Sequence, residues 1–307
     1  MDLSVVIPTY NGADRLPQVL EKLRSQMGTE EIDWDIIVVD NNSSDHTPQV
    51  VQDFQKSWNV KAPLKYVFEH QQGIVFARNR GIEESQGELI AFLDDDNFPN
   101  LDWILQAYLF GKNHPKVGIY GGQIHPLYQT KPPENFKKVE HILLAIRESG
   151  DQSFQFNPEL LQLPSGAGLV LRRKAWLDNF NPELMATRRG DNDCELSIYL
   201  HRKGWEIWYN SAMHLNHWIP AERLERSYLL SLAHRYGLCT FGFRVILVKS
   251  WQKPLLFLRV MFGSLKRVIL HLVKYNKKAK SDLVNACELE FFWASAISPF
   301  HYYLNRT

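Results

Sequence analysis

Three aspartates in succession, Asp94, Asp95 and Asp96, follow a short apolar run, residues 89–93. Adjacent like charges repel, and solubility does not require them behind a buried-looking strand, so they point to a positive partner at that edge. Hard cations such as Mg2+ and Mn2+ prefer oxygen ligands, and Mg2+ usually combines one or two carboxylates with substrate phosphates. Asp94 and Asp96 are two apart and share a face if the strand continues. The competing reading is an acidic turn ahead of a helix over 101–110, where acids favour the helix start. A second acidic group, Asp191, Asp193 and Glu195, stands at or near another helix start. It reads either as caps and dipole acids or as a general base toward an acceptor hydroxyl. His217 is open in the same way between a ligand and an ordinary packed histidine.

The elements that must position these groups alternate in type. Residues 3–10, 35–45 (a strand running into a polar turn), 64–70 and 89–93 read as strands, and 13–26, 47–58 and 73–87 as helices by apolar spacing and by Pro and Gly boundaries. Such alternation predicts an α/β fold with right-handed βαβ units and a mainly parallel sheet flanked by helices. Ligands of such sheets bind beyond the carboxyl ends of the strands. There the first strand would place Thr9, Tyr10 and Asn11, the second Asp40, and the fourth Asp94–Asp96. Residues 116–128 and 167–173 read as further strands of mixed direction, 193–205 as a helix closed by Gly204, and 206–218 as a strand or loop.

The 307 residues carry a net charge of only +1, which hides an asymmetry. Residues 1–220 hold 21 Lys and Arg against 29 Asp and Glu, whereas residues 221–280 hold 13 against 2. We therefore expect two regions, 1–220 and a basic helical region 221–307, with different partners. The three cysteines show no C-x-x-C spacing and read as reduced thiols. The first residues open on a strand with no basic or long apolar leader, so no signal peptide is expected.

Six motifs recur in an order that resembles family 2 glycosyltransferases of the GT-A fold: VVIPTYNG, IIVVDNNSSD, GIVFARNRGI, GELIAFLDDDNFP, SGAGLVLRR and GDNDCELSIYLHRKGW. The resemblance covers about residues 3–225, and HWIPAERL is similar to bacterial exopolysaccharide enzymes, the cyanobacterial hormogonium polysaccharide group among them. It implies a GT-A domain, Rossmann-like, with a helical C-terminal extension. It also implies an inverting transferase moving sugar from a nucleotide-diphosphate sugar, a UDP-sugar by preference, to a hydroxyl of a saccharide or lipid-linked acceptor. By the same resemblance Pro8, Thr9, Tyr10 and Asn11 form the first nucleotide loop, Asp40 holds the base, and Arg78 lies near the nucleotide. Asp94 faces the ribose and, with Asp96 and His217, belongs to the site of Mg2+ or Mn2+, while Asp95 fills the middle of the motif on the donor side. Asp193 matches the base, with Asp191 its rival because Asn192 stands where the family has Glu, and Arg223 lies where a cation steadies the leaving diphosphate. The Asn192 departure leaves open a non-catalytic sugar-nucleotide-binding or assembly protein.

Residues 253–280 contain no uncharged run long enough to span a bilayer. On a helical wheel Arg259, Lys266, Arg267 and Lys274 fall within about 100° and apolar residues fill most of the rest. Such a helix could lie in an anionic membrane interface, which would make the protein peripheral on the cytoplasmic face of the inner membrane, or pack its apolar side on the catalytic region. Nucleic acid is not expected as a partner, because the basic block is strongly apolar and lacks a reader motif.

Overall fold

The computed structural model describes residues 1–179 and 192–304. It divides into two compact units, Met1–Pro126 with Arg147–Trp218, and Leu127–Ile146 with Ile219 onward.

The first unit is built on a nine-stranded sheet in the order β3-β2-β1-β4-β8-β6-β9-β5, with β7 paired to β9. Its leading half is parallel: β1 (Leu3–Thr9) pairs with β2 (Trp34–Asp40) and β4 (Leu89–Phe92), and β2 with β3 (Leu64–Phe68). β1 and β2 are Val- and Ile-rich and buried at every position, as strands covered on both faces must be. Pro8 has no N–H to give, and it lies past Val6, the last β1 residue that pairs with β4. The connecting helices are α1 (Leu16–Arg24), α2 (Thr47–Ser57) and α3 (Ile74–Glu84). α1 buries Leu16, Val19, Leu20 and Leu23, the 3–4 spacing visible in the sequence.

Beyond β4 the sheet becomes mixed. β5 (Asn97–Pro99), α4 (Trp103–Asn113), β6 (Val117–Tyr128), β7 (Phe154–Gln155), β8 (Val170–Arg172), a short α6 (Arg173–Leu177), α7 (Asn192–Arg202) and β9 (Glu206–Ile219) complete the unit. The β4–β8, β6–β8, β5–β9 and β7–β9 pairs are antiparallel. Val6, Ile37, Val39, Ile90, Phe92 and Leu171, with Ile119 of β6 and Ile207 and Tyr209 of β9, form the sheet's part of a core closed by Ala77 and Ile82 of α3 and Leu200 of α7.

The second unit is helical. α5 (Lys137–Leu143) precedes α8 (Arg226–Ile246), α9 (Lys253–Tyr275), the single turn α10 (Lys278–Ser281) and α11 (Leu283–Leu304). Phe241 and Val245 of α8, Val260 of α9 and Tyr302 of α11 share one cluster. Pro299 inside α11 cannot donate to the Ser295 carbonyl four residues back, and the Ser298 hydroxyl donates there instead, at 2.7 Å. No helix among the described residues is long and apolar enough to cross a membrane.

Candidate active site

Register places the acidic groups together. Val6 of β1 is level with Phe92 of β4, so Thr9 and Asp95, each three residues further on, meet at the carboxyl edge. The Thr9 hydroxyl donates to Asp95 Oδ2 at 2.7 Å. Arg15, just ahead of α1, completes a clasp: its Nε and Nη2 donate to the two Asp95 oxygens at 3.1 and 3.0 Å. The hydrogen bond to Asp95 is the main reason that the Arg15 guanidinium is held above its ordinary range. Gly12 is needed beneath this clasp, because a Cβ there would overlap both Thr9 Oγ1 and Asp95 Oδ2. Arg15 was not legible as a site residue, since nothing in its spacing separates it from a surface cation of α1.

The neighbouring loops are tied to the same edge. Asn11, with φ of +48°, accepts from the Ser44 N–H at 2.8 Å, and its own N–H donates to Ser43 Oγ at 3.0 Å. Asp40 is fully buried opposite Thr9 in the β1–β2 register and accepts from the Ser43 N–H at 2.9 Å and the Tyr66 hydroxyl at 2.7 Å. Burial first, and Asp40 second, push the Tyr66 phenol well above its usual range. Pro8 is buried, whereas Tyr10 is exposed at the rim.

The centre of the edge is Arg78, presented by α3. Its Nη1 donates to both oxygens of Asp193, each at 2.5 Å, and its Nη2 to Asp94 Oδ1 at 3.3 Å. Asp193 comes from the first turn of α7, 115 residues away in sequence. Burial works against the Arg78 charge, but Asp193 and Asp94 outweigh it and hold the guanidinium above its ordinary range. Burial pushes the Asp94 carboxyl up; Arg78 opposes that shift, and Asp96, Asp193 and Asp95 reinforce it. Gly166 closes the floor: a Cβ there would overlap the Asp193 carboxylate.

Asp96 and His217 form a separate pair. Asn97 of β5 lies opposite His217 of β9, and His217 Nε2 stands 3.6 Å from Asp96 Oδ2, both residues buried. A carboxylate oxygen and an imidazole nitrogen at this spacing suit one divalent ion with adjacent ligands about 2.1 Å away, and the mixed O and N set suits Mn2+. Asn97 strengthens the fit: its Nδ2 faces Asp94 Oδ2 at 3.3 Å, while its buried Oδ1 has no hydrogen-bond partner among the described residues. No group of three or more His, Cys, Asp or Glu among the described residues could hold a metal unaided, so an ion on this pair would need further oxygen ligands, from Asn97, phosphate or water. Asp94, expected to face both ribose and metal, is turned to Arg78. Asp191 lies outside the described residues, and Arg223 stands in a short turn, Ala221–Leu224, of the second unit.

Residues 4–175 match the sequence profile described as glycosyl transferase family 2. The chain belongs to that family. Glucosyl-dolichyl phosphate glucuronosyltransferase of Haloferax volcanii is 23% identical over 237 residues, 75% of this chain and 73% of that one. The mannosyltransferase PcManGT of Pyrobaculum calidifontis, solved with GDP-Man and Mn2+, superposes with a TM-score of 0.61 at 17% identity, covering 97% of this chain and 86% of that one. Residues 1–349 of S. aureus TarS, solved with UDP, give 0.51 at 17% identity, covering 100% and 92%. These likenesses establish the GT-A fold that the motifs implied. The chain spans 40%, 73%, 35% and 29% of the length of four curated relatives that it matches. In this family 2 chain the clasped Asp95, the Arg78-bound Asp193 and the Asp96–His217 pair are tied together through the three aspartates that follow β4.

Proposed function

We propose that the chain transfers a sugar from a nucleoside-diphosphate sugar to a hydroxyl of a saccharide or lipid-linked acceptor, with inversion at the anomeric carbon. The observation that carries this reading is the single guanidinium of Arg78 joining Asp193 to the donor-side Asp94. Asp193 is the group that takes the acceptor proton. It receives the proton as the acceptor oxygen attacks, when that hydroxyl has become acidic. The bond from the anomeric carbon to the diphosphate breaks as the new glycosidic bond forms, and the diphosphate leaves with the electron pair. One base is invoked and no covalent intermediate, so the anomeric configuration should invert.

Asp96 and His217 would hold Mg2+ or Mn2+, which when bound offsets the charge of the departing diphosphate. Asp40, hydrogen-bonded to Tyr66, would mark the nucleoside end of the donor, and uridine is the first nucleoside to test, in keeping with the UDP bound by TarS. The relative acting on a dolichyl phosphate supports a lipid-linked acceptor.

Calorimetry with UDP, with Mn2+ and with chelator, tests the donor half: metal-dependent binding is expected in the wild type and lost in Asp96→Ala. Asp193→Asn should keep UDP affinity and lose transfer by about 10²–10⁴-fold. Turnover like the wild type in that variant removes Asp193 from the mechanism. Metal-independent or absent UDP binding means another nucleotide, or a fold kept without its chemistry.

A further inference from the structure

α9 is a 23-residue helix with two apolar sides. One is consumed in packing: Val260, Ser264, Val268 and His271 are buried, Val260 in the Phe241 cluster, and His271 Nε2 makes a 2.9 Å hydrogen bond with the Asn285 carbonyl oxygen. The other faces outward. Leu255, Leu258, Phe262, Ile269 and Val273 fall within roughly 60° on a wheel of 100° per residue, on the side opposite the packed one. They are 68, 48, 59, 60 and 77% exposed. Arg259 and Lys266 run along one flank of this stripe, and Arg267 and Lys274 lie further round. Trp251, 74% exposed, sits just before the helix.

We propose that this outer stripe docks on an anionic lipid bilayer, with α9 lying in the interface plane. The geometry is that of a monotopic helix: a narrow apolar face to enter the acyl boundary, cations beside it for the headgroups, and a buried opposite side that holds the helix to its unit. The charge pattern selects this occupant over a second copy of the chain. Residues 221–280 carry 13 basic and 2 acidic side chains, so a symmetric contact through the stripe would bring like flanks together. The inference stands apart from the reading of the active site.

The test is co-sedimentation of the full chain with phosphatidylcholine vesicles, with and without phosphatidylglycerol, at low and high salt. Binding should require the anionic lipid and fall with salt. Phe262→Asp with Ile269→Asp should abolish it, and Arg259→Glu with Lys266→Glu should weaken it at least about tenfold. All four side chains are exposed, so melting should be unchanged; the milder Phe262→Ser with Ile269→Ser gives the same reading if the acidic pair unfolds the protein. Failure to bind anionic vesicles, or binding indifferent to these substitutions, overturns the proposal. So does a wild-type dimer in light scattering that Phe262→Asp converts to monomer. UDP calorimetry on the same preparations separates this outcome from a failed donor site.

Discussion

Replacing Arg78 by methionine would leave Asp193 and Asp94 facing one another without their shared cation, beside Asp95 and Asp96. Breaking a buried pair from one side typically costs about 3–5 kcal/mol, and urea unfolding of Arg78→Met at pH 7 should show a loss of that order. Burial already holds the Asp94 carboxyl above its usual range with Arg78 opposing it, so without the guanidinium Asp94 binds its proton more readily folded than unfolded, and the deficit should shrink as the pH falls through the raised Asp94 value. Gly166→Ala acts on the same spot by shape alone, displacing the Asp193 carboxylate, and should lower kcat while UDP affinity is kept. Burial pushes the Cys287 thiol up to about 11. The folded state therefore favours the protonated thiol, and this contribution is complete below the unfolded value near 8.5 and lost as pH rises through about 11. Denaturation of Cys287→Ala compared with wild type at pH 8 and 11 should show a flatter pH dependence in the variant.

The first four strands and their helices were legible because β-branched runs and 3–4 apolar spacing are local signals, and VVIPTYNG, IIVVDNNSSD and GELIAFLDDDNFP marked where the chain turns at the ends of β1, β2 and β4. Pairing was not local. Nothing near Asp96 announces that β5 lies against β9, which brings His217 opposite Asn97. Arg15 and Tyr66 were missed for the same reason, since their partners lie 80 and 26 residues away. In the second unit the crossing of α8 and α11 depends on a missing side chain: a Cβ on Gly237 would come within 2.6 Å of Ala294 Cβ and the Phe291 carbonyl oxygen. Gly237→Val should force these helices apart and cost about 1–3 kcal/mol or more, read as a lower melting temperature in calorimetry.

At the scale of the whole chain, the charge break near residue 220 separates an acidic region from a basic one, and the second unit begins at Ile219. Charge could not show that Leu127–Ile146 belongs with that unit, because the segment is mixed in sign and joins it only through the fold. The helical wheel of α9 could place cations and apolar groups, but which apolar side is covered depends on α8 and α11. One residue-level feature bears on the whole of the proposed transfer. A guanidinium shared by two carboxylates couples them, so an incoming diphosphate that drew Arg78 toward Asp94 would loosen its hold on Asp193. The two substrates should then add in compulsory sequence, sugar nucleotide before acceptor. In steady-state inhibition the free nucleoside diphosphate should compete with the donor alone, and a dead-end acceptor analogue should be uncompetitive toward the donor.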